Sequence, residues 1–489
     1  MRKLSWWKTS ISVLVLIMAG LPILFFWNEW RVEREWQRYE EEARERGVKL
    51  LLTEFAASPI PEEENFAALP MWKAVFTQKP APDPFKLPDP PAGTQMPPTF
   101  GDPIKGESID LAAWQNYFQK VGFLKETSSE PARDVLSALD HFAPQFEEWN
   151  SGLSRPRCRF PLDLAKGAEM PLPHLSVFTS NMKLLMLRMQ AHQALGDTTA
   201  ALVDFRAALR SYHCLTNEPT LISGLVRISM LRMVISAVGD GLKAQVWKDG
   251  ELKDIQAALG EVRLCPDYRL AMGSEHGFVN SVMDSIVKMS VRQRGEFFTQ
   301  LSSGGTGSHS SSHYNGGAFA LIPRSVFRQN QLRANRYMDE LVAKADMTNS
   351  RFDPNLATPS ALSANADWER MYYFAYSILT SAYGIAAERY VFAQTRLDQA
   401  RLACALERRR LARGSFPETL NDLIPEFIED EPRDPYARAP YHYQRLEGKS
   451  FLLYGVGENG RDDGGAIDRG KKETHQPDDV WLYAPANGA

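Results

Sequence analysis

The stretch YGVGENGRDDGG (Tyr454–Gly465) sets glycines among acidic side chains, and further carboxylates follow as far as Asp479. Oxygen donors at this density suit a hard cation. Clustered carboxylates repel one another until positive charge is bound, and glycines let the backbone turn tightly around it. The competing reading is a solvated acidic loop without metal. Elsewhere the chemistry-bearing residues are sparse. His309 and His313 have the i, i+4 spacing of two ligands on one helix face, but they lie among Gly and Ser, so they read as exposed loop histidines. GSEHG (Gly273–Gly277) lacks the spacing of a nucleophile elbow, and its Ser274, Glu275 and His276 would point in different directions from a helix. No P-loop, dinucleotide-binding glycine fingerprint or HExxH occurs. The four cysteines, Cys158, Cys214, Cys265 and Cys404, form no Cys-x-x-Cys pair and read as buried free thiols rather than a structural zinc site.

What positions these residues is mostly helix. The chain has 489 residues, 44% hydrophobic and 24% charged, enough for a sizeable core and more than one domain. Its net charge of −4 is spread through interspersed Lys, Arg and Glu. Nothing resembles the one-signed basic stripe of a nucleic-acid binder, so no nucleic-acid partner is expected. Residues 109–148 and 174–262 carry apolar positions at i, i+3, i+4 and i+7. Within them, Gly196-Asp197 turns the chain, and Ala201, Phe205, Ala208 and Leu209 then fall on one helix face. That segment resembles the second helix of a tetratricopeptide repeat, but a 34-residue shift does not reproduce it, so one hairpin is expected and not an array. A low-complexity loop at 302–318 interrupts the helical region, a second irregular stretch covers 347–364, and a long helical pattern from Asp367 to Arg413 stops at Gly414.

The N-terminus suggests a membrane. MRKLSWWKTS is basic and aromatic, Ile11–Trp27 is an uncharged apolar run, and Trp6, Trp7, Trp27 and Trp30 flank it at interfacial positions. WNEWRVEREW offers no small residues for cleavage and no lipoprotein cysteine, so an uncleaved anchor is expected. Arg2, Lys3 and Lys8 favour a cytoplasmic N-terminus over Arg31, Arg34 and Arg38, which would place a single-pass protein in the cytoplasmic membrane with its body in the periplasm. Beyond the anchor (1–30), the alternating charges of residues 31–78 read as a solvated helical stalk, and the Pro-rich residues 79–108 as a linker or surface strap.

The tail (401–489) changes character. ETLNDLIPEFI reads as a short amphipathic helix, YHYQRL and SFLLYGV as strands joined by a turn at Glu447-Gly448, and DDVWLY as a last strand. Gly414–Pro417, Asp434-Pro435-Tyr436 with Pro440, Tyr441 and Tyr443, and then Tyr454, Gly455, Gly457, Asn459, Gly460, Gly464, Gly465 and Asp478-Asp479 follow in the order of a known motif set. That order resembles the periplasmic head of the major pseudopilin of type II secretion. The resemblance implies an α+β module with antiparallel strands and a calcium site in the terminal loop. Asp478 and Asp479 match the family's acidic pair, and Asn459 stands where an Asp is usual. Asp462, Asp463 and Asp468 are further candidate ligands. The chain departs from a pseudopilin in lacking the leader and the Glu-bearing first helix, so assembly into a pilus is not expected. Its layout also resembles uncharacterised membrane-anchored helical proteins of Planctomycetes and Verrucomicrobia.

The expected fold is therefore mainly α: an N-terminal transmembrane helix, a multi-helix body (109–400) and a small pseudopilin-like C-terminal module. The expected function is a non-enzymatic envelope role, structural, docking or secretion-related, with the membrane and other envelope proteins as partners. An envelope hydrolase whose site forms only in the fold, and a helical peptide-binding scaffold, are the alternatives. Convergent His, Asp or Glu with shifted pKa values in a deep pocket would favour the hydrolase.

Overall fold

The computed structural model describes residues 3–99, 108–303, 321–346, 351–353, 369, 372–446, 450–468, 470–471 and 475–483. The described residues are mainly helical, with a small three-stranded antiparallel sheet near the C-terminus. A long first helix, α1 (Lys3–Glu45), contains Pro22. It is followed by α2 (Pro70–Thr77), α3 (Leu111–Lys120), α4 (Pro131–Leu139) and α5 (Ala143–Leu153). The Pro-rich segment is irregular, and it packs down as a strap: Phe85 and Leu87 are buried, and Trp114 Nε1 donates to Pro98 O at 2.9 Å.

The centre is built from α6 (His174–Ala194), α7 (Thr198–Cys214), α8 (Leu221–Lys243), α9 (Asp249–Gly260) and α10 (Leu264–Lys288). The α6–α7 hairpin turns at Gly196, whose φ of 74° suits a residue without Cβ, and Asp197 caps α7 by accepting the Ala200 amide at 3.0 Å. Ala201, Phe205, Ala208 and Leu209 are all buried, as their spacing requires. Helix α8 is apolar enough and long enough to cross a bilayer, yet most of it is buried among its neighbours, as befits a core helix. After α11 (Val291–Ser303) come α12 (Arg324–Ala343), a two-residue ladder of β1 (Ala345–Asp346) with β2 (Arg351–Phe352), and the long α13 (Phe374–Arg413). Gly414 ends α13 in the left-handed region at φ 79°.

The second half of α1 is not solvated all round. Val32, Trp36, Tyr39 and Ala43 are buried, with Trp36, Tyr39 and Ala43 forming one cluster with Leu50 and Leu332 of α12. Polar ties run along the same seam: Glu29 accepts the Ser325 amide at 3.1 Å, Arg328 donates to Glu33 at 3.1 Å, and Tyr39 and Arg46 donate to Asp339 at 3.0 and 2.8 Å. The alternating charges of this segment thus face α12 as well as water. Residues 28–45 belong to the body instead of standing free as a stalk.

The tail forms β3 (His442–Arg445), β4 (Phe451–Val456) and β5 (Asp478–Tyr483) in the order β3-β4-β5. ETLNDLIPEFI yields only a single 3-10 turn at Leu420–Leu423, because Pro425 has no N–H to continue a helix. The sheet docks on the body: Arg396 Nη1 of α13 donates to Val480 O at 2.7 Å, Gln399 of α13 donates to Asp479 O, and the Trp481 ring lies against Gly239 of α8. Leu453, Phe451, Tyr441 and Trp481 belong to the same continuous core as α6–α10.

Candidate functional site

The Gly- and Asp-rich loop leads from the end of β4 to β5, and its organising group is Asp478. This residue is fully buried, and its carboxylate accepts the backbone amides of Asp463 (3.2 Å), Gly465 (2.8 Å) and Ala466 (3.1 Å). Gly464 and Gly465, at φ 74° and 77°, aim those amides inward. At Gly465 a Cβ would also come within 3.0 Å of Leu452. Converging N–H dipoles neutralise an anion as a bound cation would, so the loop wraps a carboxylate.

The other acidic residues fall into separate groups. Asn459 donates to Asp463 at 2.7 Å. Asp462 accepts the Tyr454 hydroxyl at 3.0 Å and the Gly464 amide at 2.9 Å, and lies 3.6 Å from His442. The Gly464 amide is the main reason its carboxyl sits below the usual range. Asp468 accepts the Gly470 amide at 2.9 Å, while its own amide donates to Gln476 at 2.7 Å. Asp479, next to Asp478 in β5, faces the opposite side of the strand and is buried near Tyr436. Burial, together with the carboxylates of Asp479, Glu388 and Glu458, pushes the Tyr436 hydroxyl up. Asp478 and Asp479 therefore do not converge on one point.

Two further carboxylates hold the sheet in place: Asp434, which the sequence offered only as part of a turn motif, and Asp398, which it did not single out. Asp434, buried, accepts the Tyr436 amide at 2.8 Å and the Val456 amide at 2.7 Å, and a Cβ on Gly455 would come within 2.9 Å of its carboxylate. Asp398 of α13 accepts from Gln394 at 3.1 Å and from the Tyr441 hydroxyl at 3.4 Å; burial pushes its carboxyl up to about 7.

A third missed group joins the loop to the long helix. Glu388 of α13, Glu458 after β4 and His475 before β5 each place one donor atom within 4.8 Å of the others. His475 Nδ1 is 3.1 Å from Glu388 and 3.6 Å from Glu458. Beside them lies an open cavity of about 670 Å³ lined by Glu458, Asn459, Asp463, Lys471 and His475. The separation of seventy positions from Glu388 to Glu458 hid this cluster from any spacing argument. The one sequence signal was a Glu in a stretch whose neighbours Ala386, Ala387, Tyr390 and Val391 are apolar and buried.

A second cavity, about 420 Å³, lies beside α7 and is lined in part by Cys158, Arg210, His213, Cys214 and Glu218. Burial lowers the affinity of His213 for its proton and raises that of the Cys158 thiol, which Cys214 raises further. Glu218 bridges His174 (2.8 Å) and the Ser223 hydroxyl. The carboxylate thus occupies the central place that a base needs in a nucleophilic triad, which leaves Ser223 without an adjacent imidazole. Ser274, Glu275 and His276 diverge on α10 as expected: they bond to Ala271 O, to Tyr383 and to Asn335 respectively. His309, His313 and the Glu447-Gly448 turn lie outside the described residues. Comparison with protein-family profiles, curated proteins and solved structures finds no match to this chain.

Proposed function

We propose that the protein is a membrane-tethered envelope protein with a structural or docking role, its helical body held at the bilayer by the first part of α1. The observation that carries this reading is the contrast along one helix. Met18, Leu21, Leu24, Phe26 and Trp27 are each at least 56% exposed, while Val32, Trp36, Tyr39 and Ala43 of the same helix are buried. A contiguous exposed apolar stretch of this size is unfavourable in water and favourable in lipid. Trp27 and Trp30, with Arg31 and Arg34 stacked on them at 5.8 and 5.0 Å, have the composition of an interfacial belt at the boundary. The pseudopilin-like reading of the tail rests on motif order, supported by the antiparallel β3-β4-β5 sheet with the Gly-rich loop before β5. Calcium belongs to that reading as a loop stabiliser. Asn459, Asp462 and Asp463 are exposed to it, whereas Asp478 is engaged by amides.

The test is a carbonate wash of membranes from cells expressing the full chain. The protein stays with the membrane pellet; recovery in the supernatant contradicts the tether.

One observation favours the hydrolase alternative. The cavity beside α7 is lined by His213, Glu218, Cys158 and Cys214 together, and because burial raises the Cys158 thiol, the imidazole would have to activate it. Labelling of Cys158 by an electrophilic ester probe, abolished by His213→Ala, would move the balance towards it.

A further inference from the structure

Among the described residues, Glu388, Glu458 and His475 stand apart from the other acidic groups in three ways. First, Glu388 is only 7% exposed, and its Oε1 meets no donor in hydrogen-bonding geometry, although His475 Nδ1 is 3.1 Å away. A buried carboxylate oxygen left in this state is costly unless something else satisfies it. The imidazole nitrogen and the carboxylate are close but not aligned for a full mutual hydrogen bond. Second, Glu458 adds another carboxylate within 4.8 Å of both; burial and this neighbour push the Glu388 carboxyl up, a repulsion that a bound cation would relieve. Third, Glu458 and His475 themselves line the open cavity that Asn459, Asp463 and Lys471 also border, so an ion could reach these two from solvent.

We propose that Glu388, Glu458 and His475 bind a divalent transition metal of the zinc class. The donor set decides the class. An imidazole nitrogen with carboxylate oxygens suits zinc and its neighbours, whereas calcium and magnesium select oxygen alone. Three protein donors leave a coordination position for water on the cavity side, the arrangement of an open zinc site. The three ligands come from α13, from the loop after β4 and from the segment before β5. Metal binding therefore ties the Gly-rich loop to the long helix. This site differs from the calcium position considered above, and it stands whether or not the chain is membrane-tethered.

The test uses the full chain in detergent, stripped with chelator and titrated calorimetrically with zinc and, separately, with calcium. Zinc binds with one saturable equivalent, and cobalt(II) in its place gives a visible ligand-field band. His475→Ala weakens zinc binding more than tenfold and removes the band. Because His475 is half exposed, this variant leaves the fold intact, as circular dichroism will show. Glu388→Gln does the same to the metal, and Asp468→Asn, outside the cluster, changes neither. Calcium that binds through Asp462 and Asp463 is untouched by His475→Ala, so the two sites are separable. Absence of saturable zinc uptake, or zinc and cobalt binding unaltered in His475→Ala, overturns the proposal.

Discussion

The carboxylate of Asp478 accepts the amide of Gly465 at 2.8 Å, closing the Gly-rich loop onto the residue that opens the last strand. With the Asp463 and Ala466 amides it satisfies three backbone donors at a fully buried position. Asp478→Ala leaves those donors without an acceptor, each costing on the order of 1 kcal/mol or more. The expected loss is at least ~2 kcal/mol in a denaturant titration, with Asp478→Asn intermediate because it keeps one oxygen. Asp462→Asn, on the exposed side of the loop, shifts the midpoint little. Equal effects of Asp478→Ala and Asp462→Asn would contradict the account of the loop.

The tail depends on the body. Trp481 is buried against Gly239 of α8, and α13 donates to the β5 carbonyls. Trp481→Ala should cost ~3–5 kcal/mol. Residues 401–489 expressed alone should lack near-ultraviolet circular dichroism, because their apolar face is then uncovered. A folded, cooperatively melting fragment would refute the shared core.

Two buried carboxyls set a pH dependence. Burial pushes Asp398 from 3.8 to about 7, opposed by Gln394, Arg401 and Tyr441 and reinforced by Asp434. Glu275 rises from 4.5 to about 7, again through burial, opposed by Tyr383 and the Leu221 amide. The folded chain therefore holds these protons more tightly than the unfolded chain. The stability they contribute is complete below about pH 4 and is lost as pH rises towards 7. Asp398→Asn with Glu275→Gln should flatten that slope and make the variant more stable than the parent at pH 8, on the order of a few kcal/mol. A parent slope unchanged by the double substitution would show that these groups are not protonated in the fold.

Calcium gives a further check. In millimolar calcium the full chain should melt a few degrees above its value in chelator, with magnesium weaker because it demands a tighter octahedral shell. Asp462→Asn with Asp463→Asn should remove the difference. An identical melting temperature in calcium and chelator leaves the loop as an acidic turn closed by Asp478 alone.

How much of this was legible in the sequence follows from the range of each interaction. Periodicity placed the helices of the body, and short alternating or apolar runs between turn residues placed β3, β4 and β5, because those patterns are local. The Gly414 stop and the Asp197 cap are local as well. The docking of α1 had a visible trace: Val32, Trp36, Tyr39 and Ala43 recur at i, i+4, i+7 and i+11, an apolar stripe masked by the charges between them. What could not be read was which polar group meets which across long separations. Glu388 with His475, Asp398 with Tyr441 and Asp434 with the Val456 amide of β4 are products of the tertiary fold. The acidic loop misled in a physical way. Its carboxylates were counted as if they shared one centre, whereas strand alternation sends Asp478 and Asp479 to opposite faces.

The most direct measurement of the central claim is flotation with phospholipid vesicles, comparing the full chain with a Leu21→Lys, Leu24→Lys variant. Both leucines are exposed, so the substitutions leave the body intact, while each lysine costs ~2.5–3.5 kcal/mol at the centre of a membrane-spanning helix. The account predicts that the parent floats with the vesicles after a high-salt or carbonate wash and that the variant stays at the bottom of the gradient. A parent that fails to float, or a variant that floats equally well, would contradict it.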